Sequence, residues 1–197
     1  MHHTEGSSLT QLTKLIPKNP FDRERMHRLA DQLNWIPVDL GPSDNAQPHE
    51  EVWALGDYRT AVHWIEDDAF RVHYIAVEGE SRAQAVSDIR NHVEVHTSAS
   101  LAGLVTGERD TLAVMDSLRM LAMQSSEEFD PEIFAMVRWA LNDPEPAVRR
   151  VALLASSIMP WAQLDPLLEY VSRHDLDEAV RTDAREALAI FRDRIRN

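Results

Sequence analysis

Histidine and carboxylate spacing are the first features of this chain that could do chemistry. The sequence has nine histidines, and His92 and His96 stand four apart around Val93-Glu94-Val95. On a helix that spacing puts two imidazoles on one face, an arrangement from which metal sites are built. The residue order is not that of the His-Glu-x-x-His metalloprotease motif, and Val-Glu-Val-His-Thr reads equally well as a helix ending in an extended segment. His63 and His73 are expected as cross-strand neighbours on one face of a hairpin, and neither pair has an identifiable third ligand. No metal ligand and no cofactor are assigned.

Carboxylates recur in the runs Glu66-Asp67-Asp68, Glu127-Glu128-Phe129-Asp130 and Asp175-Leu176-Asp177-Glu178. They could in principle pair as general acids. Two runs fall at expected turns and one at a helix start, where carboxylates cap free backbone donors, so solvated caps are expected instead. A hydrolase needs a nucleophile, a base and an oxyanion cradle, and neither Gly-x-Ser-x-Gly nor a phosphate or dinucleotide glycine loop is present. Six glycines leave little room for one, and the lack of cysteine excludes thiol nucleophiles, thiolate zinc sites and disulfides. No catalytic residue is assigned.

The elements that must position any site show in the apolar pattern. Residues 9 to 34 are expected as two helical pieces broken at Pro17 and Pro20, with Phe21, Met26, Leu29, Ala30 and Leu33 on the stripe of the second. The polar stretch Gly41 to Glu51 reads as an exposed loop. Strand alternation follows over Val52–Leu55, Thr60–Glu66 and Phe70–Glu78, with Asp67 and Asp68 at a hairpin turn. Gly79 ends the sheet. Ser81 is the expected N-cap of a helix whose buried stripe is Ala83, Val86, Ile89 and Val93. Three regions result: helices and loop over 1–50, a β-meander plus helix over 51–105, and helical repeats over 108–197.

The repeats rest on an internal echo. Asp143-Pro-Glu-Pro-Ala-Val-Arg149 and the residues after it align without a gap to Asp175-Leu-Asp-Glu-Ala-Val-Arg181, an offset of 32 residues. Asp130-Pro131 and Asp165-Pro166 each open a preceding helix, with proline where its missing donor does no harm. A degenerate copy spans Asp110 to Met123, with Asp116 where the others carry arginine. Helix pairs at such a period bury their apolar faces on the next pair and form an α-solenoid. The fold class expected is α+β, mainly helical, with the β-meander and N-terminal helices packed on the short solenoid. Leu112, Met115 and Leu118 are expected to be buried against that module.

Residues 130–197 resemble HEAT or HEAT-like repeats, through Asp143, Val148, Arg149 and Ala152 and again Asp175, Val180, Arg181 and Ala184. The resemblance implies that Arg149 and Arg181 each reach an acidic side chain of their own or an adjoining repeat. It also implies that the alanines let paired helices approach closely. The family includes scaffolds, adaptors and a few enzymes, so the resemblance speaks to fold rather than function.

Charge narrows the function classes. The chain has 33 acidic and 20 basic residues, a formal charge of −13, and both 1–107 (9 basic, 16 acidic) and 108–197 (11 basic, 17 acidic) are acidic. That balance repels phosphate backbones, so no nucleic-acid partner is expected. The polar start, Met1 to Ser8, and the want of any 18-residue apolar run point to an intracellular, cytoplasmic protein without a membrane partner. Recognition of another, basic protein is the reading, either as an adaptor or scaffold or as an immunity or inhibitor protein steered to a basic toxin or nuclease. A DNA-glycosylase-type enzyme and a subunit of a larger HEAT-containing assembly are the alternatives, and oligomeric state is left open. Of five tryptophans, Trp53 and Trp64 are expected in the core. Trp139, in a repeat helix, and Trp161, in the connection after Pro160, are each either core or, for one of them, an exposed anchor, and with Arg150 and Arg185 they are the candidate partner-facing residues.

Overall fold

The computed structural model describes residues 12–18, 20–40, 48–107, 110–126, 128–194 and 196. The chain divides into two compact units, Met1–His96 and Thr97–Asn197. It is α+β and mainly helical, and no described helix is long and apolar enough to cross a membrane.

The first unit is a five-stranded antiparallel sheet with two helices. Its strands are β1 (Thr13–Leu15), β2 (Ile36–Val38), β3 (His49–Ala54), β4 (Thr60–Asp67) and β5 (Val72–Gly79), in the order β1-β5-β4-β3-β2. Helices α1 (Arg23–Gln32) and α2 (Arg82–His92) flank the run of strands in sequence. Register places Trp53 opposite Val62 and Val62 opposite Val77. That face, with Trp64 and Ile75, forms one core with Met26, Leu29 and Ala30 of α1 and Ala85 and Ile89 of α2.

Helix α1 stops for a local reason. Asn34 takes φ 56, the Trp35 N–H reaches the Ala30 carbonyl at 2.9 Å and the Asn34 N–H that of Asp31 at 3.1 Å. These paired bonds satisfy helix-end carbonyls, and asparagine tolerates the left-handed region they require. The stop turns buried Trp35 inward and starts β2.

Several sequence expectations are corrected here. In the first piece of 9–34 the described part is β1, not helix: Thr13, Lys14 and Leu15 pair with Val77, Ala76 and Ile75, while residues 9–11 lie outside the described residues. Pro17 disfavours the helical conformation at Ile16 just before it, and the edge of β5 offers a row of bonding groups. Residues 49–51 belong to β3, while 41–47 lie outside the described residues. Ser81 precedes α2 but does not cap it with its side chain. Its hydroxyl donates to Asp57 Oδ2 at 2.7 Å, and α2 buries Ala85 where Ala83 was expected, Ala83 being exposed.

Glu66 ties α1 to the sheet. Its carboxylate accepts from Arg23 Nε at 3.1 Å and Nη2 at 2.5 Å, and from the Trp64 indole at 2.9 Å. The Arg23 hydrogen bond holds its pKa down at about 2, against the opposing pull of burial. A carboxyl depressed on folding stabilises the native state above its unfolded pKa and loses that contribution as pH falls through the folded value. Acid titration of the wild type is therefore expected to weaken the sheet unit between about pH 4.5 and about pH 2. In Glu66→Gln the loss over that window should shrink by roughly 2 kcal/mol, allowing for the half-exposed Arg23. Parallel acid curves for the two proteins, read by tryptophan fluorescence, would refute this.

The second unit holds six helices among the described residues: α3 (Ser98–Gly107), α4 (Thr111–Gln124), α5 (Pro131–Ala140), α6 (Pro146–Ile158), α7 (Asp165–His174) and α8 (Glu178–Arg194). Its boundary corrects the expected division, because α3 begins at Ser98, inside the region drawn as 51–105, and packs on α4 and α5. Residues 1–50 are likewise no separate region, since β1, α1 and β2 belong to the sheet unit. Asp110 and Asp130 cap α4 and α5 through their carboxylates.

Ion pairs give the helix directions. Arg192 near the end of α8 forks onto Asp165 at the start of α7, with both bonds 2.7 Å, so α7 and α8 run antiparallel. Early Arg150 meets early Asp183 at 2.5 Å, and late Arg194 reaches the late Ile158 carbonyl, so α6 and α8 run parallel. Helices α4, α6 and α8 pack one on the next, with Ala152, Ala155, Ala184 and Ala187 buried. Leu118 lies in this unit's own core and Met115 packs against it. Leu112 is 65% exposed, contrary to expectation, because it lies off the inward stripe of Val114, Leu118 and Leu121.

Candidate protein-binding face

The echoed residues meet at the turns before α6 and α8. Asp143 and Asp175 each fold their turn by accepting a backbone N–H two residues on, from Glu145 and from Asp177, both at 2.8 Å. This Asx geometry suits aspartate because its short side chain reaches its own backbone. Val148 and Val180 are buried one helical turn further along.

Arg149 then bridges the copies. Its Nε and Nη2 grip the Asp175 carboxylate at 2.8 and 2.9 Å, while Nη1 donates to the carbonyls of Asp143 at 2.8 Å and Pro144 at 3.1 Å. The side chains are 11% and 7% exposed. Burial pushes the Asp175 carboxyl up, but the Arg149 hydrogen bond, the Asp177 N–H and the nearby guanidiniums bring it below its ordinary value overall. The same bond raises the pKa of Arg149. Arg181 behaves differently: its Nη1 donates to the Asp175 carbonyl at 2.6 Å, within its own copy.

A groove of about 610 Å³ opens over this turn edge, lined by Leu141, Pro144, Pro146, Leu167, Tyr170 and Leu176 together with Asp143, Asp175 and Asp177. An adjoining hollow contains Trp139 and shares Arg138, Asn142, Asp143 and Pro144 with it. Trp139 is 43% exposed, Tyr170 63% and Leu176 97%. Exposed Glu145 and Glu178 sit beside the two turns. Apolar and aromatic side chains thus share this surface with three aspartates, with Arg138 and Arg149, and with His174.

The expected partner-facing residues separate here. Trp139 joins the face. Trp161 is only 2% exposed, with its indole N–H on the Ser126 carbonyl at 3.1 Å and its ring edge-on to Phe129, so it is a core residue and the expectation is corrected. Arg150 lies elsewhere, paired with Asp183 in a groove on α6 and α8. Arg185 is exposed on α8. Tyr170 and Leu176 were missed by sequence reasoning. Tyr170 falls outside the buried stripe Leu168, Val171, and Leu176 is an apolar residue inside an acidic turn, and both were signals in plain view.

The histidine expectations do not survive the geometry. Helix α2 ends at His92, whose Nδ1 lies 2.7 Å from the Asp88 carbonyl. His96 follows in extended chain, with its N–H on the Ile16 carbonyl, so the two share no helical face. Burial, with the Lys18 charge, lowers the His96 pKa. His63 stands opposite Ala76, and His73 opposite Glu66, which puts them on opposite faces of the sheet. Among the described residues no group of three His, Cys, Asp or Glu could hold a metal ion. No protein-family model matches the chain, and neither a curated protein nor a solved structure does.

Proposed function

We propose that this protein is a non-catalytic recognition module, a short run of HEAT-like helix pairs that binds a basic protein across the turn edge of α5 to α8. The observation that carries the reading is exposed Tyr170 and Leu176 in the groove with Asp143, Asp175 and Asp177, and exposed Trp139 in the adjoining hollow that shares Asp143. Large aromatics in partly desolvated hollows supply most of an interface's affinity, and a rim of carboxylates selects and steers a cationic partner. The packing of α4 on α6 and α6 on α8, the parallel run of α6 and α8, and the bridging of one copy to the next by Arg149 support the HEAT-like reading. An adaptor and an inhibitor of a basic toxin or nuclease both fit this chemistry. A DNA-glycosylase-type enzyme calls for a cationic groove, whereas here three aspartates line the turn edge and Arg149, one of two arginines, is already paired.

The test is to place a photo-crosslinking residue at Leu176 in the full chain, in its native source. The captured protein should be basic and should bind the purified chain with an affinity that falls steeply with salt. Trp139→Ala should weaken that complex about thirtyfold, the cost of about 2 kcal/mol typical of an aromatic anchor. Its unfolding midpoint should stay at the wild-type value, because the side chain is largely outside the core. An acidic captured partner, or one that binds Trp139→Ala as tightly as wild type, would end this reading.

A further inference from the structure

Arg149 and Arg181 stand 32 residues apart at equivalent places in α6 and α8, and their guanidiniums are anchored alike. Nη1 of each donates to the carbonyl of the aspartate six residues before it, Asp143 at 2.8 Å and Asp175 at 2.6 Å. From there the two differ. Arg149 directs Nε and Nη2 at the carboxylate of Asp175, one copy further along. Arg181 has no copy beyond it among the described residues, and its Nε and Nη2 donate to none of them. Its guanidinium is held by the carbonyl, and the two donors that Arg149 spends on Asp175 meet no acceptor among the described residues.

The neighbouring position carries the same message. Four residues on, Arg185 takes the place that Leu153 holds in α6. Residues at i and i+4 share a helix face, so 149 with 153 and 181 with 185 are corresponding strips. Leu153 is buried, whereas Arg185 is exposed, its Nη2 on Thr182 Oγ1 at 2.9 Å. An apolar helix laid against this strip would have to desolvate Arg185 without compensation, while a carboxylate would pair with it.

We infer that the Arg181–Arg185 strip of α8 is a second docking surface, whose ligand is an acidic turn of another protein. A carboxylate of that turn seats on Nε and Nη2 of Arg181 as Asp175 seats on Arg149, and Arg185 receives a second acid one helical turn along. Arg181 does not line the turn-edge groove, although it bonds the Asp175 carbonyl beside it, and its strip is opposite in charge preference.

The probe is a synthetic peptide reproducing residues 170–181 of this chain, which contains the Asp175 turn that Arg149 already grips. It is titrated into the full-length protein labelled with ¹⁵N-arginine, and the arginine Nε–Hε signals are followed, with Arg181→Lys used to assign the Arg181 signal. The Arg181 signal should shift and saturate while that of Arg149 stays still. A peptide with D175N should bind at least about tenfold more weakly, as expected for loss of a charge-assisted bidentate pair. Arg181→Lys should lose affinity to the same extent, because lysine keeps the charge but not the fork, and Arg185→Ala should lose less. The inference is overturned if the Arg181 signal does not move at millimolar peptide, if the Asp and Asn peptides bind alike, or if Arg181→Lys binds like wild type.

Discussion

Asp175→Ala is expected to cost the helical unit about 3 kcal/mol, because it strands the mostly buried Arg149 guanidinium without its counter-charge. The carboxylate accepts two bonds from Arg149 and one from the Asp177 N–H, so a single truncation leaves three donors to find water. Arg149→Met should cost less, since Asp175 keeps its backbone partner. The double substitution Arg149→Met with Asp175→Leu should recover much of the loss, because a hydrophobic replacement of similar volume escapes the desolvation that an ion pair must overcome. Urea unfolding followed by circular dichroism measures all three. Asp175→Ala within about 0.5 kcal/mol of wild type would show that the bridge between copies contributes nothing.

Gly79→Ala is expected to damage the sheet unit as severely. A Cβ at Gly79 would lie 2.1 Å from the Arg59 carbonyl oxygen and 2.6 Å from Thr60 Cα, and the residue sits at φ +108°, which side chains rarely adopt. Both obstacles are backbone, so no rotamer change relieves them. Gly79 pairs with Thr60 at the end of β4 and β5. Beside it Asp57 gathers the Arg59 and Thr60 N–H groups and the Ser81 hydroxyl, bonds that hold its pKa down, the Arg59 N–H foremost. A shift there would disturb the whole corner. The expected loss is on the order of 3 kcal/mol or more, from strain and overpacking together. Gly56→Ala is the control, since nothing lies within 4 Å of its added Cβ, and it should stay within about 0.5 kcal/mol of wild type. Thermal unfolding of both variants, read through the buried Trp53 and Trp64, decides the matter, and equal midpoints would refute the steric argument.

How much of this could be read from residues alone depended on length and period. Strands β4 and β5 were legible because eight residues of alternation leave little choice of register. Helices α5 to α8 were legible because aspartate marks their starts, joined by proline in α5 to α7, and the 32-residue echo repeats the stripe of α6 in α8. Strands β1 and β2, three residues each, were not. So short an edge strand takes its conformation from the neighbour it pairs with, which a local pattern does not contain. Helix α3 buries only Leu101 and Val105 and contains Gly103 and Gly107, so its periodicity is faint. In α2, Ala83 and Ala85 are the same residue type, and only packing chooses between them. The candidate site was half legible. The echo located Asp143, Arg149 and Asp175, and the buried stripe Ile133, Val137, Ala140 already leaves Trp139 on the outside. Trp161 lies in an irregular connection, where no period indicates which way a side chain points.

The arginine that replaces leucine at position 185 has a bearing on how such a chain can lengthen. A repeat ending in an apolar flank would invite identical molecules to stack end on end without limit, since head-to-tail contacts that do not close make filaments. A charged flank disfavours that apolar stacking, and the interior is a place where growth by duplication is tolerated. A further copy inserted between Ser172 and Asp175 would find an aspartate waiting for its arginine on one side and an arginine waiting for its aspartate on the other.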